Sequence, residues 1–279
     1  IYYNKIEDYI FICFLLGNDF MPHFPAINIR INGFIILLEL YKKLFNKDKF
    51  LTQNNNIVWN NFRLYIKNLA ENEYDFLKEI YTIREKQSKK YFPETNDNEK
   101  ELKFVSMPTW DRNIEIFINP YEEFWEYRYY YSLFDINIDK NKEYVNKVCM
   151  DYLKTLQWTY YYYSRECINW SHSYDYEYPP LLVDLYKHIP YFNSELVLDK
   201  DKTIIHPQLL LSYVLPKDSL NLLPNKIHNY LLKNYENYYK NDYKFIYAFC
   251  KYFWEGHVKF PHLDFKSFHI NINKLIDKS

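Results

Sequence analysis

Four groups of residues in this sequence have types and spacings that could do chemistry. The first is Asp19, within LLGNDFMPHFP (15–25). It follows the apolar run YIFICFLL (9–16), so its carboxylate is expected near a low-dielectric interior. A carboxylate there is costly unless it is hydrogen-bonded, paired or bound to a cation, and hard divalent ions take such oxygens as ligands. Two readings follow, a metal ligand or a cap on the next turn, and chemistry alone favours the cap. The second group lies in residues 157–185, where Trp158, Trp170, His172 and Arg165 stand among a run of tyrosines. Aromatic faces stack on bases of any sequence, which suits a single strand, yet the same rings pack cores. Core packing is the favoured reading for Trp158 and Tyr160–Tyr163, while Trp170 and His172, in a Ser-rich turn, stay divided between the two. The third is Arg128 in FWEYRYYYSLF (124–134), able to bind phosphate or stack, or to sit in a structural ion pair. The fourth is His257, His262 and Asp264, whose i, i+5 histidine spacing around Pro261 is not that of a helical zinc motif, so no metal is expected there.

Other chemistries are excluded. The 3 glycines, Gly17, Gly33 and Gly256, lie too far apart for a nucleotide-cradling loop. No G-x-S-x-G elbow and no C-x-x-C pair occurs; Cys13, Cys149, Cys167 and Cys250 are scattered. That usage predicts neither structural zinc nor a disulfide framework, and a reduced intracellular setting; placement in the cytoplasm rather than the nucleus is a separate expectation. Lys+Arg 35 against Asp+Glu 36 leaves net charge −1, so no global basic field draws polyanions. The longest apolar run, Tyr9–Leu16, is short of the ~20 residues of a membrane helix, and no membrane partner is expected. The sequence starts at Ile1 without a charged-then-apolar leader, and is expected to be a piece of a longer protein. Aromatics make up 21%, an excess that AT-rich coding alone could produce.

The elements that must position these groups read as helices. Residues 6–16 form a buried segment with acids at its start and Gly17-Asn18 as its stop. A second apolar helix runs from about Phe34 to Phe45. From Tyr144 to Thr159 the apolar positions Val145, Val148, Cys149, Tyr152 and Leu156 keep a 3.6-residue period. Helices also fit 180–188, 207–215 and 226–240, whereas TQNNN (52–56) is a polar turn and 85–103 a solvated linker or flexible insertion. The expected fold is mainly α, an irregular multi-helix domain with loop insertions. Its expected divisions are 1–45, helices completing a metal site; 46–115, a variable polar insertion or linker; and 116–279, a helical domain with aromatic-rich blocks.

Five stretches, in order, resemble the XRN family of 5′→3′ exoribonucleases. LLGNDFMPHFP is similar to the family's LLGNDFLPHLP, and FWEYRYYYSLF to its W-K-x-R-Y-Y-x-x-K-F, at Trp125, Arg128, Tyr129, Tyr130 and Phe134. Residues 157–185 resemble its block containing S-W-S-W-Y-Y-P-Y-H-Y-A-P. QLLLSYVLPKDSLNLLP (208–224) and FWEGHVKFPHLDF (253–265) resemble two later blocks. The resemblance covers nearly the whole chain except 46–110, and corresponds to the helical second half of the family's nuclease region.

The resemblance implies two-metal hydrolysis of 5′-monophosphorylated RNA, with Mg²⁺ or Mn²⁺ clamping the attacking and leaving oxygens. It makes Asp19 the last acid of the metal cluster, reversing the cap reading, and aims it by Gly17 and Asn18. Trp170, His172 and Arg128 become expected nucleic-acid-binding residues of a single-stranded RNA channel. The remaining acids and the 5′-phosphate pocket belong to an N-terminal nuclease half, expected as a partner, without which this chain is expected to be inactive. The family's second tryptophan in S-W-S-W is His172 here, and its P-Y-H-Y is Asp175-Tyr176-Glu177-Tyr178. Two rival functions remain: a catalytically silent helical scaffold binding RNA or protein, and, more weakly, a flap-endonuclease-like DNA nuclease.

Overall fold

A computed structural model describes residues 2–45, 48–198, 201–240 and 242–277. The chain divides into two compact units: Ile1–Asp201 with Tyr247–Glu255, and Lys202–Ile246 with Gly256–Ser279. Both are mainly helical.

In the first unit, α1 (Tyr2–Cys13) tightens into a 3-10 turn over Phe14–Leu16. The apolar run 9–16 is what drives it inward: Phe11 packs on Phe14, Phe62 and Tyr160 with ring centroids 5.3–6.2 Å apart. Asp8 is fully buried in the same helix. Its carboxylate accepts from the Tyr41 hydroxyl (2.6 Å), the Leu51 and Thr52 amides (2.9 and 2.7 Å) and the Thr52 hydroxyl (2.8 Å). That set ties α1 to α2 (Gly33–Leu44) and to a hairpin of β1 (Thr52–Gln53) and β2 (Asn56–Ile57). Asn54 and Asn55, both with positive φ, make the two-residue turn and pair Thr52 with Ile57.

The structure differs from the sequence reading over 46–115, whose first residues, 46 and 47, lie outside the described residues. In place of a linker stand α3 (Trp59–Ala70), α4 (Glu73–Ser88) and α5 (Asp97–Val105). Trp59, Phe62, Tyr65, Ile66 and Leu69 bury one face of α3. The polar composition of 85–103 belongs to solvated helix faces, with pairs such as Lys89–Glu85 (2.7 Å) and an Asn96 cap on Glu99 N (3.0 Å). Then follow α6 (Asn113–Ile118), α7 (Trp125–Phe134), α8 (Lys142–Ser164) and α9 (Leu182–His188). Helix α8 is central. Val148, Cys149, Tyr152, Leu153 and Leu156 on it are wholly buried, as the 3.6-residue spacing predicts.

The segment 247–255 is fixed to this unit by charge. Glu115, fully buried, accepts from Arg84 Nε (2.7 Å), Arg112 Nε (3.0 Å) and the Phe249 amide (2.8 Å), while Arg84 also donates to the Cys250 carbonyl (3.0 Å). The second unit holds α10 (Pro207–Val214), α11 (Asn225–Asn234) and α12 (Phe265–Ile276) around Leu209, Leu231, Phe268 and Ile272. An antiparallel pair, β3 (Lys244–Ile246) with β4 (His257–Lys259), completes it. The helix expected over 226–240 stops at Asn234. Among the described residues no helix is long and apolar enough to cross a membrane.

Candidate functional site

The chain leaves the buried Phe14–Leu16 turn through Gly17, at φ 89°. A side chain there would be strained by that φ. It would also place a Cβ 3.0 Å from both the Cβ and the amide nitrogen of His23. Asn18 then closes the turn. Its Oδ1 accepts from the Phe20 and Met21 amides (2.8 and 3.0 Å), and its own amide donates to the Met21 carbonyl (3.0 Å). Capping thus falls to Asn18, and Asp19 sits at the exposed apex. This corrects the expected position of Asp19 near the interior: the positive φ of Gly17 turns the chain outward after Leu16. Its carboxylate has no hydrogen-bond or ion-pair partner among the described residues. A free, hard, anionic oxygen pair on a fixed turn fits one ligand of a divalent cation. No group of three His, Cys, Asp or Glu able to hold a metal occurs among the described residues.

Phe20 joins this turn to the aromatic block. Its ring meets Trp158 edge-on at 5.0 Å and Tyr162 at 5.2 Å. Tyr162, Trp158 and His172 form a parallel stack, with centroids 5.4 Å apart at both steps and interplanar angles of 19° and 27°. Trp158 is buried and its Nε1 donates to the Asn169 carbonyl (2.9 Å), which holds the loop after α8 against the helix. Asn169 Oδ1 accepts from the Ser171 amide (2.8 Å). Within that loop the two expected binders have different surroundings. His172 is half-buried, with one face on Trp158 and Nε2 3.0 Å from the Thr155 hydroxyl. Burial and the nearby Lys154 push its pKa down, against the pull of Asp175. Trp170 is 47% exposed, and its indole has no ring partner among the described residues. His172 also lines a pocket of about 410 Å³ with Asp151, Lys154, Asp175 and Leu198.

Arg128 is engaged elsewhere. Its guanidinium donates to four backbone carbonyls, of Ile118 (2.9 Å), Glu123 (2.7 Å), Asn119 (3.1 Å) and Glu122 (3.4 Å). Four of five N–H donors are spent on the loop before α7. The structure therefore gives Arg128 a clamping task. It also replaces the ion pair of the alternative reading with carbonyl oxygens. Sequence reasoning missed Phe20 and Tyr162 as the rings that join the two motifs. The signal was present, since Phe20 follows Asp19 directly and Tyr162 lies one turn beyond Trp158.

The structure thus shows an exposed acidic turn packed through Phe20 on a ring stack, in a mainly helical frame. The Xrn1 helical domain family matches residues 2–115 and 118–278, and the chain belongs to that family. Among its relatives, a Drosophila melanogaster protein named 5′-3′ exoribonuclease 2 homolog is 24% identical over 309 aligned positions, 94% of this chain and 34% of that protein. Human 5′-3′ exoribonuclease 1 is 25% identical over 94% of this chain and 17% of its own length. Saccharomyces cerevisiae 5′-3′ exoribonuclease 1 is 35% identical over 37% of this chain and 6% of its own length. The chain thus spans about a third or less of the curated relatives it matches.

Proposed function

We propose that this chain is the helical part of a 5′→3′ exoribonuclease acting on 5′-monophosphorylated RNA, with Asp19 as one ligand of a two-metal Mg²⁺ or Mn²⁺ site. The observation that carries the reading is Phe20, which seats the Asp19 turn directly on the Trp158 stack. The Asp19 turn thus rests on the same buried ring, Trp158, that holds the loop leading to Trp170 through the Asn169 carbonyl. When bound, the divalent ions supply Lewis-acid stabilisation of both oxygens of an in-line displacement. The residues of this chain position. Gly17 and Asn18 hold the Asp19 carboxylate outward, Trp158 and His172 brace the loop, and Trp170 offers an open indole for stacking on a base.

The rest of the ligand set and the 5′-phosphate pocket would come from an N-terminal nuclease half. An exposed apolar strip supports that partner: Ile6, Tyr9 and Ile10 on α1, with Ile35 on α2, are each about half exposed. In the intact protein with Mg²⁺, Asp19→Asn abolishes degradation of 5′-monophosphorylated RNA, measured as nucleotide release. Undiminished turnover would sink the ligand assignment. The second reading, a silent RNA-binding scaffold, rests on Asp19 being the lone acid of its turn. It predicts RNA retention without nucleotide release in the wild-type protein.

A further inference from the structure

Away from the Asp19 turn, α6, α7 and the loop between them carry rings that their own unit leaves largely exposed. Phe117 on α6 and Tyr131 on α7 are each about half exposed, Tyr127 is partly covered, and Phe124 stands just before the helix, at its N-cap. Tyr127 stacks on Tyr131 at 5.9 Å and 13°, and Phe117 from α6 meets Tyr131 at 6.4 Å. Phe124 is 74% exposed, and its φ of 61° is a conformation bulky residues rarely adopt. The loop that presents it is braced, because the Arg128 guanidinium binds three of its carbonyls and that of Ile118 at the end of α6. A strained phenyl ring held in solvent adds little to the core, so its position calls for an external contact.

The charge around the rings selects the occupant. Glu122 and Glu123 are exposed, Glu126 is half-buried, and none of the three forms an ion pair among the described residues. Set against the guanidinium of Arg128 and the ammonium of Lys78, which lies 5.9 Å from the Tyr121 ring, three carboxylates still leave this surface negative. Phosphates are repelled there. Guanidinium groups are favoured twice, by the carboxylates and by the faces of the rings, on which they stack.

We infer that the Phe117–Phe124–Tyr131 surface docks an arginine-rich, extended segment of a partner protein. This proposal stands apart from the reading of Asp19. The test is fluorescence anisotropy with a labelled peptide of alternating Arg and Gly, titrated with the intact protein. The wild type binds, and rising salt weakens the complex. Phe124→Gly, and separately Glu122→Gln with Glu123→Gln, each weaken binding by about tenfold or more, as loss of an anchor does. Because glycine adopts positive φ freely, Phe124→Gly holds or raises the melting temperature, separating docking from folding. Full affinity in Phe124→Gly, or no binding by the wild type at low salt, would overturn the assignment. So would competition by single-stranded RNA that Phe124→Gly removes, or a dimer of the wild type that Phe124→Gly dissolves, since either would give the surface another occupant.

Discussion

Gly17, Asn18 and Asp19 are consecutive residues with separate tasks: one turns the chain, one closes the turn, and one is left free. They should therefore fail differently. Gly17→Ala meets both a positive φ and the contact with His23, and should cost about 1–3 kcal/mol, read from urea unfolding. Asp19→Ala touches no partner and should shift the melting temperature by no more than about 2 °C, while nucleotide release is lost. A melting temperature that fell as far as for Gly17→Ala would show that the carboxylate has a structural partner. The motif was legible in the sequence because type and order carry it. The exposure of Asp19 was not, since it depends on one dihedral at Gly17. Arg128 shows the converse. Its ring-rich neighbours suggested phosphate, yet carbonyl acceptors carry no sequence signature, so the clamp became visible only in three dimensions.

At the scale of elements, periodicity told the truth where a helix has one buried face, as α8 does, and was silent where the buried face is narrow. Helices α4 and α5 bury few apolar residues and read as linker from their charges. Part of what α4 contributes is polar: Glu73, at its start, accepts from the Leu182 and Val183 amides (2.8 and 3.0 Å) at the N-terminus of α9. Burial lifts its pKa from the ordinary 4.5 to about 8, the two amide hydrogen bonds only partly opposing it. A carboxyl raised in the folded state gives its full stability below its unfolded value and loses it as pH climbs to the folded one. Wild-type stability should thus fall through this site between about pH 4.5 and about pH 8. Glu73→Gln should flatten the decline, seen as urea midpoints converging less steeply across that range. An equal slope in both proteins would place the titration elsewhere.

At the scale of the whole molecule, the second unit has its own core, so heating should melt the protein in more than one step. Leu231→Ala, at a fully buried position, should lower one calorimetric transition by about 2–5 kcal/mol and leave another in place. A single transition moved as one would show the two units to be energetically inseparable. Glu115→Gln should act on the other unit, and by about 3–5 kcal/mol, because it leaves Arg84 buried without its carboxylate, while Arg112 keeps Glu85. Nothing in the sequence announced this division. The segment 247–255 belongs with residues as far back as Glu115, and one of its ties is the amide of Phe249. Synthesis order gives that tie a consequence. Glu115 leaves the ribosome about 130 residues ahead of Phe249, roughly 7–26 s at usual elongation rates. Throughout that interval the first unit lacks its last strap while the whole of 202–246 is being made. A stall within 202–246 would leave the first unit without segment 247–255, and buried Glu115 without the Phe249 amide.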